Sequence, residues 1–384
     1  MKVLYVCPGL NIQRGGAITA VVNLARTLSA KGVSISIFAP RSDCEEYGYT
    51  DELKNVNVEF FKKGLLSKIW TGYSPRLARN LKKRVREFDL IHIHELWHYP
   101  AFSAYRAAKR AGIPFVITAH GELTSRMRGY KSFRKKIYMR FVQKDILKNA
   151  RALHAITREE VKDFYNLTKH GNVVHIPNGL DVEEFKNLPN ADIFKNVFPE
   201  TKNKKIILFL GRMHPVKGID ILAQAFGALA KNRNDVRLII AGPDNEGYLR
   251  NIVKILKKEK ALEKTVFTDM VSGELKKSLL RAADIFVLPS HSEVLGLSTL
   301  EAMVCGVPVI ISKNCNFPEV EERFAGKVIN MTRGELCKTL DFLLDNTEIR
   351  AEMGENGKRL IEDQYTLDVV GEKIKTFYED IVLN

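Results

Sequence analysis

Two α/β domains, each built on a parallel sheet, are the fold class this sequence predicts, and three observations carry the prediction. Short runs rich in Val, Ile and Leu recur along the 384 residues, each followed by a glycine or polar loop and a helical pattern. The runs are nearly continuous in hydrophobicity, as parallel strands covered on both faces are. The two halves also open alike. Residues 2–7, a loop with Gly9, Gly15 and Gly16, and a helix over 18–30 make one unit; residues 205–210, a loop with Gly211 and Gly218, and a helix over 220–231 make the other. A chain of this length suits two domains better than one.

In the first half, residues 3–7, 33–39, 90–94, 115–119 and 152–156 read as strands, and 24–30 and 101–111 as helices. In the second, residues 206–210, 237–241, 265–268, 285–289 and 308–311 are strands with helices between them. Asn, Pro and Lys break the periodic pattern between residues 187 and 204, so the domains are placed at 1–187 and 188–366. A last helix over about 367–381 is expected to cross back onto the first domain, which then takes 367–384 as well.

With 45% hydrophobic and 27% charged residues, the composition is that of a globular protein and excludes a disordered chain. No apolar run approaches the ~18–20 residues of a membrane-spanning helix. The opening residues, broken at Cys7-Pro8-Gly9, read as a buried strand rather than a signal peptide. Cys7, Cys44, Cys305, Cys315 and Cys337 are scattered and form no C-x-x-C pair, so reduced thiols are expected and a zinc or disulfide framework is not. The expected location is the cytoplasm, with peripheral contact at the inner face of the plasma membrane.

The net charge of +15 is concentrated in segments 62–86 and 126–151, where Lys and Arg interleave with residues such as Leu65, Leu66, Ile69 and Trp70. Such a surface suits an anionic membrane or a phosphorylated acceptor. The plainer alternative is a set of solvated helix faces, and nucleic acid is not expected as a partner.

Three motifs carry chemistry. Gly15-Gly16-Ala17 before a helix lets backbone N–H groups approach an anion, although an ordinary strand-to-helix turn needs no more than this. Its spacing is not G-x-G-x-x-G, which argues against a nicotinamide enzyme. The loop from Gly211 to Gly218 ends a strand and holds Arg212 and Lys217. A planar fork and a compact charge there suit a departing nucleoside diphosphate without a metal; two surface cations are the alternative. Most specific is the stretch from Glu293 to Glu301, followed by Gly306-Val307-Pro308-Val309. Carboxylates accept bonds from vicinal hydroxyls, and the amides of Gly296, Leu297 and Ser298 would face a phosphate at a helix start. His92, His94 and His98 are spaced suggestively, yet no paired-aspartate motif accompanies them and no metal site is expected. Trp97 and Tyr99 are candidates for an acceptor surface.

Glu293 and Glu301 with seven residues between them, the Gly-x-Pro-Val strand and the Gly-Arg to Lys-Gly loop together resemble the retaining glycosyltransferase family 4. The residues 176–181, Ile-Pro-Asn-Gly-Leu-Asp, resemble the segment closing such enzymes' first domain, and 118–121, Thr-Ala-His-Gly, their active-site histidine loop. The stretch from His92 to Ala155 is similar to bacterial polysaccharide-assembly members. The resemblance spans nearly the whole chain and implies the GT-B fold, two Rossmann-like domains facing across a cleft.

It also implies roles. Arg212 and Lys217 would hold the donor diphosphate, Glu301 the ribose, Glu293 and His120 the transferred sugar, Val271 the base, and Gly16 the approach to the phosphates. Val294 and Leu295 stand where the family usually has Pro or Gly and then Phe, and Asp269 where many members have Gly, which leaves donor sugar and base (UDP, GDP or ADP) open. The implied activity moves a sugar from a nucleotide sugar to a glycan or lipid-linked acceptor, in cell-surface polysaccharide synthesis and without a cofactor. An epimerase of the same fold and a non-catalytic nucleotide-binding partner of a glycan assembly complex are the alternatives.

Overall fold

The structure is a computed structural model that describes residues 1–11, 16–41, 53–123 and 142–383. Gly15, Cys44 and residues 126–141 of the second basic segment lie outside them. The chain divides into two compact units, residues 1–179 with 367–384, and residues 180–366. The division falls at Gly179–Leu180, earlier than residue 187 and inside the Ile-Pro-Asn-Gly-Leu-Asp segment.

In the first unit, β1 (Lys2–Val6), β2 (Ser34–Pro40), β3 (Asn57–Phe61), β4 (Leu90–His94), β5 (Phe115–Thr118), β6 (Ala152–Ala155) and β7 (Val173–His175) form one sheet in the order β3-β2-β1-β4-β5-β6-β7. Every pairing is parallel. Among the described residues its helices before the last are α1 (Gly16–Ala30), α2 (Pro75–Arg84), α3 (Tyr99–Ala111), α4 (Lys144–Asn149) and α5 (Arg158–Thr168). Local chemistry sets their ends. Ser74 caps α2 by accepting from Leu77 N–H at 3.2 Å, with Pro75 in the first turn, and Gly112 at φ 71° stops α3. Successive residues of β1 serve opposite faces: Val3 and Tyr5 join the core under α1, Leu4 and Val6 the core under α2 and α3. This two-sided burial is why the strands read as continuous apolar runs.

The second unit repeats the plan. It carries α6 (Asp192–Val197), β8 (Lys205–Leu210), α7 (Ile219–Ala230), β9 (Val236–Ala241), α8 (Leu249–Lys258), β10 (Thr265–Phe267), α9 (Gly273–Ala282), β11 (Ile285–Leu288), α10 (Leu297–Val304), β12 (Val309–Ser312), α11 (Glu319–Glu322), β13 (Gly326–Ile329), α12 (Arg333–Asp345) and α13 (Thr347–Gln364). Its sheet is parallel in the order β10-β9-β8-β11-β12-β13. Helix α14 (Leu367–Leu383) then returns to the first unit and packs on α1. Lys31 holds it through Asp368 at 2.5 Å and Glu372 at 2.6 Å, and Gly371 allows the approach, since a Cβ there would meet Thr27 Cγ2 at 2.6 Å.

The strands that the sequence reading leaves out are β3, β7 and β13, each at a sheet edge. Among the described residues, no helix is long and apolar enough to cross a membrane.

Candidate functional site

In both sheets the strand order reverses beside the first strand, between β1 and β4 and between β8 and β11. Loops leaving the carboxyl ends of such neighbours diverge and open a crevice, the usual ligand position in an open parallel sheet.

In the second unit the crevice is built from the two motifs singled out in the sequence. The loop 211–218 leaves β8, and residues 289–296 leave β11. They are laced together: His291 N–H donates to Val216 O at 2.7 Å, and Ser290 Oγ to the same oxygen at 2.9 Å. Gly218, at φ 68°, is required there, because a Cβ would lie 2.0 Å from Pro289 O. Across this junction Lys217 Nζ bonds Glu293 Oε2. Glu293 is further fixed by its own N–H to Asn314 O at 3.0 Å and by Asn316 Nδ2 on its carbonyl at 2.8 Å. Arg212 is exposed and forms no ion pair with a described residue.

Gly296 caps α10, with Leu297 and Ser298 in its first turn, where amides have no intrahelical acceptor. Glu301 follows one turn on, its Oε1 2.8 Å from Lys276 Nζ of α9. Burial raises the Glu301 carboxyl above the usual range, and the Lys276 ammonium pulls part of that back. Val271, buried, lies in the loop after β10, where Asp269 O accepts Gly242 N–H at 2.7 Å. Asp269 sits at φ 51°, a left-handed conformation that favours glycine.

The first unit gathers a buried histidine cluster at its strand ends. His154 Nε2–H donates to the backbone oxygen of Ile176 at 2.7 Å, and that bond fixes every proton behind it. Burial keeps His92 and His154 neutral, with His154 lowered to about 4. His154 Nδ1 therefore accepts from Thr118 O–H at 2.7 Å, and Thr118 Oγ1 accepts from His92 Nε2–H at 2.6 Å. His92 Nδ1 accepts from Tyr378 O–H of α14, whose oxygen accepts from Tyr5 O–H at 2.9 Å. The chain of bonds runs one way across β1, β4, β5 and β6.

His94 stacks on His92 at 4.0 Å between centroids and contacts His120 through Nδ1···Nε2 at 3.1 Å. His120 follows β5 at φ 49° and is lowered to about 4, burial outweighing the Glu95 charge. Its Nδ1 is buried with no hydrogen-bond partner among the described residues. The next residue, Gly121, donates its N–H to Glu160 Oε1 at 2.6 Å, which anchors the loop from behind.

Gly16 is exposed at the first position of α1. Trp97 and Tyr99 are engaged differently: Trp97 Nε1–H donates to Glu122 O at 3.3 Å, whereas Tyr99 packs among Trp70 at 5.0 Å and Tyr73 at 4.7 Å. His98 does not join His92 and His94. Its Nε2 lies 3.0 Å from Glu95 and 3.5 Å from Glu122. Burial alone would lower it; the hydrogen bonds to Glu122 and Glu95 outweigh that and hold it near 9. Glu95, His98 and Glu122 offer ligand atoms within 4.8 Å of one another, but Glu122 Oε2 already accepts Leu96 N–H, and a protonated His98 supplies the positive charge.

Sequence reasoning misses Lys276 and the role of Tyr378. Lys276 stands beside Lys277 on α9, and spacing alone does not say which lysine turns to Glu301.

Comparison with known proteins agrees with this fold. Residues 14–184 match the family model described as Glycosyltransferase Family 4, and residues 190–360 the model described as Glycosyl transferases group 1. A phosphatidyl-myo-inositol mannosyltransferase of Mycolicibacterium smegmatis is 26% identical over 99% of this chain and 94% of its own. The putative glycosyltransferase EpsF of Bacillus subtilis is 28% identical over 81% of this chain and 79% of its own. Among solved structures, Anabaena HepE in complex with UDP and glucose superposes with a TM-score of 0.81 at 19% identity, covering 99% of this chain and 100% of that one. Two Rossmann-like units, each matched by one of the paired family models, place the chain in glycosyltransferase family 4, and it belongs to the group 1 glycosyltransferases.

Proposed function

We propose that the chain moves a sugar from a nucleoside-diphosphate sugar to a glycan or lipid-linked acceptor, with retention at the anomeric carbon. The observation that carries this is the crevice between β8 and β11, whose loops carry Arg212, with no ion pair among the described residues, Lys217 and the first-turn amides of α10, with two held carboxylates, Glu293 on Lys217 and Glu301 on Lys276. The cations and amides suit a diphosphate, and the carboxylates suit hydroxyls. Lys217 is shared between Glu293 and the incoming phosphates. In the reaction the bond from the anomeric carbon to the diphosphate breaks, the acceptor oxygen bonds to the same face, and its proton passes to the departing phosphate oxygen. Arg212, Lys217 and the amides stabilise the charge that develops there, so no metal is required. Glu301 takes the ribose, Val271 the base, Glu293 the sugar hydroxyls, and the buried His120 Nδ1 a further sugar hydroxyl.

Mannosyltransferase relatives named for phosphatidylinositol acceptors support a lipid-borne acceptor; the role we propose is in cell-surface glycan synthesis, for a cytoplasmic enzyme in peripheral contact with the membrane. Thermal unfolding against UDP, GDP, ADP, CMP and dTDP tests the donor site. A ligand at 100 times its dissociation constant adds about 2.7 kcal/mol of stability. One nucleoside diphosphate standing out selects the base. No shift with any of them would overturn the donor assignment, and loss of donor without an acceptor would point to an epimerase.

A further inference from the structure

The two cations of the loop 211–218 stand in different states. Arg212 is exposed and forms no ion pair with a described residue, whereas Lys217 Nζ is already held by Glu293 Oε2. A loop that served only to neutralise a diphosphate would leave both cations unopposed. The backbone sets both ends of the pair. Lys217 ends the single turn Pro215–Lys217, its N–H donating to His214 O at 2.9 Å, and His214 Nδ1 accepts Val216 N–H at 3.0 Å. Glu293 is fixed at its N–H by Asn314 and at its carbonyl by Asn316. Only the two side chains are left to exchange partners. They are 19% and 17% exposed, so a carboxylate that gives up its lysine here stays largely out of water. That is costly unless other donors reach it.

Such a pair separates two ligands that share a nucleotide. Phosphates that draw Lys217 away leave Glu293 uncompensated. A nucleoside-diphosphate sugar brings hydroxyls that donate to the vacated carboxylate. The free nucleoside diphosphate brings none, and it adds a further negative charge beside Glu293. Two unopposed cations would hold that more highly charged product the more tightly. Specificity against it calls for a repulsive element as well as an attractive one, and Glu293 supplies it.

We infer that the Lys217–Glu293 pair discriminates the sugar-bearing donor from the spent nucleoside diphosphate. The sugar hydroxyls replace the lysine at Glu293; once the sugar has gone, Glu293 takes Lys217 back and the nucleotide is released. This rests on the donor reading and adds to it the rejection of product. The test is calorimetric titration of the full chain, without acceptor, with UDP and UDP-glucose, GDP and GDP-mannose, and ADP and ADP-glucose. For the preferred base, Glu293→Gln should bind the diphosphate about tenfold more tightly and its sugar ester about tenfold more weakly, the scale of one hydrogen bond to a charged group. In a Lys217→Met background the gain for the diphosphate should shrink to a few-fold, because no lysine remains to be released and only charge repulsion is relieved. If Glu293→Gln fails to fold, Glu293→Ala serves in its place. Weaker binding of both ligands to the variant, or an unchanged affinity for the diphosphate, would overturn the inference. An equal gain with and without Lys217 would do so too, since Glu293 would then act by its charge alone. Should none of these ligands bind the parent, the donor reading itself fails, and the exchange with it.

Discussion

Replacing Lys276 by Met removes the ammonium 2.8 Å from Glu301 and tests whether that carboxylate reads the ribose. A hydrogen bond to a charged group contributes about 1.5–3 kcal/mol. The two side chains are 27% and 15% exposed, so solvent screens the pair and the loss should be about 1–2 kcal/mol. The pH dependence is the sharper signature. Burial already raises the Glu301 carboxyl, and a raised carboxyl supports the fold while protonated and loses that support as pH climbs through its folded value. Without Lys276 it rises further. Lys276→Met should therefore cost less stability at the lower of two pH values than at the higher, where an unpaired carboxylate must be buried.

Nucleotide affinity should move the other way. A protonated Glu301 accepts hydroxyl bonds poorly, so the variant should bind the preferred nucleoside diphosphate about tenfold more weakly at the lower pH, near 1.4 kcal/mol, and recover part of this at the higher. Thermal unfolding with and without the nucleotide, across the two pH values, measures both trends at once. Lys276→Arg should keep both near the parent's. An unchanged nucleotide shift at every pH would remove Glu301 from the ribose, and a stability loss independent of pH would show that Lys276 does not govern its ionisation.

Arg212→Ala or Lys217→Ala should lower turnover at least ~100-fold, the scale of removing a preorganised charge stabiliser, and near-normal turnover in either would refute its place at the diphosphate. Glu160 is raised to about 7 because burial outweighs the N–H bonds from Ile156 and Gly121. Its contribution to stability is present at low pH and falls as pH rises towards that value, so Glu160→Gln should gain on the parent between about pH 5 and pH 8; parallel stability curves would contradict this. Tyr378→Phe removes both the proton that His92 Nδ1 accepts and the oxygen that Tyr5 fills, leaving two buried groups unmet at about 1–3 kcal/mol. Tyr5→Phe removes only the first donor of the chain and should cost less. Equal melting temperatures for the two variants would refute the bridging role of Tyr378 between Tyr5 and His92.

What the sequence makes legible follows from how each residue is buried. Central strands such as β1 and β8 are covered on both faces and so declare themselves as unbroken apolar runs. Three of the four edge strands do not: Asn57–Phe61 keeps only Phe61 buried, Val173–His175 has no buried residue, and Gly326–Ile329 buries only its ends. Half-exposed strands carry mixed sequences, and a reading based on apolar continuity passes over them. The candidate site divides in the same way. Arg212, Lys217, Glu293 and the start of α10 are legible because one strand-to-loop step sets each of them, close together in sequence. Lys276 reaches Glu301 from another helix, and Tyr378 reaches His92 from the far end of the chain. No local pattern encodes either contact, because the bond exists only once the sheet has brought its strand ends together. Tyr378 has a further consequence: the last helix supplies the donor that His92 Nδ1 accepts, so its return to the first unit completes the chain of bonds as well as covering the sheet.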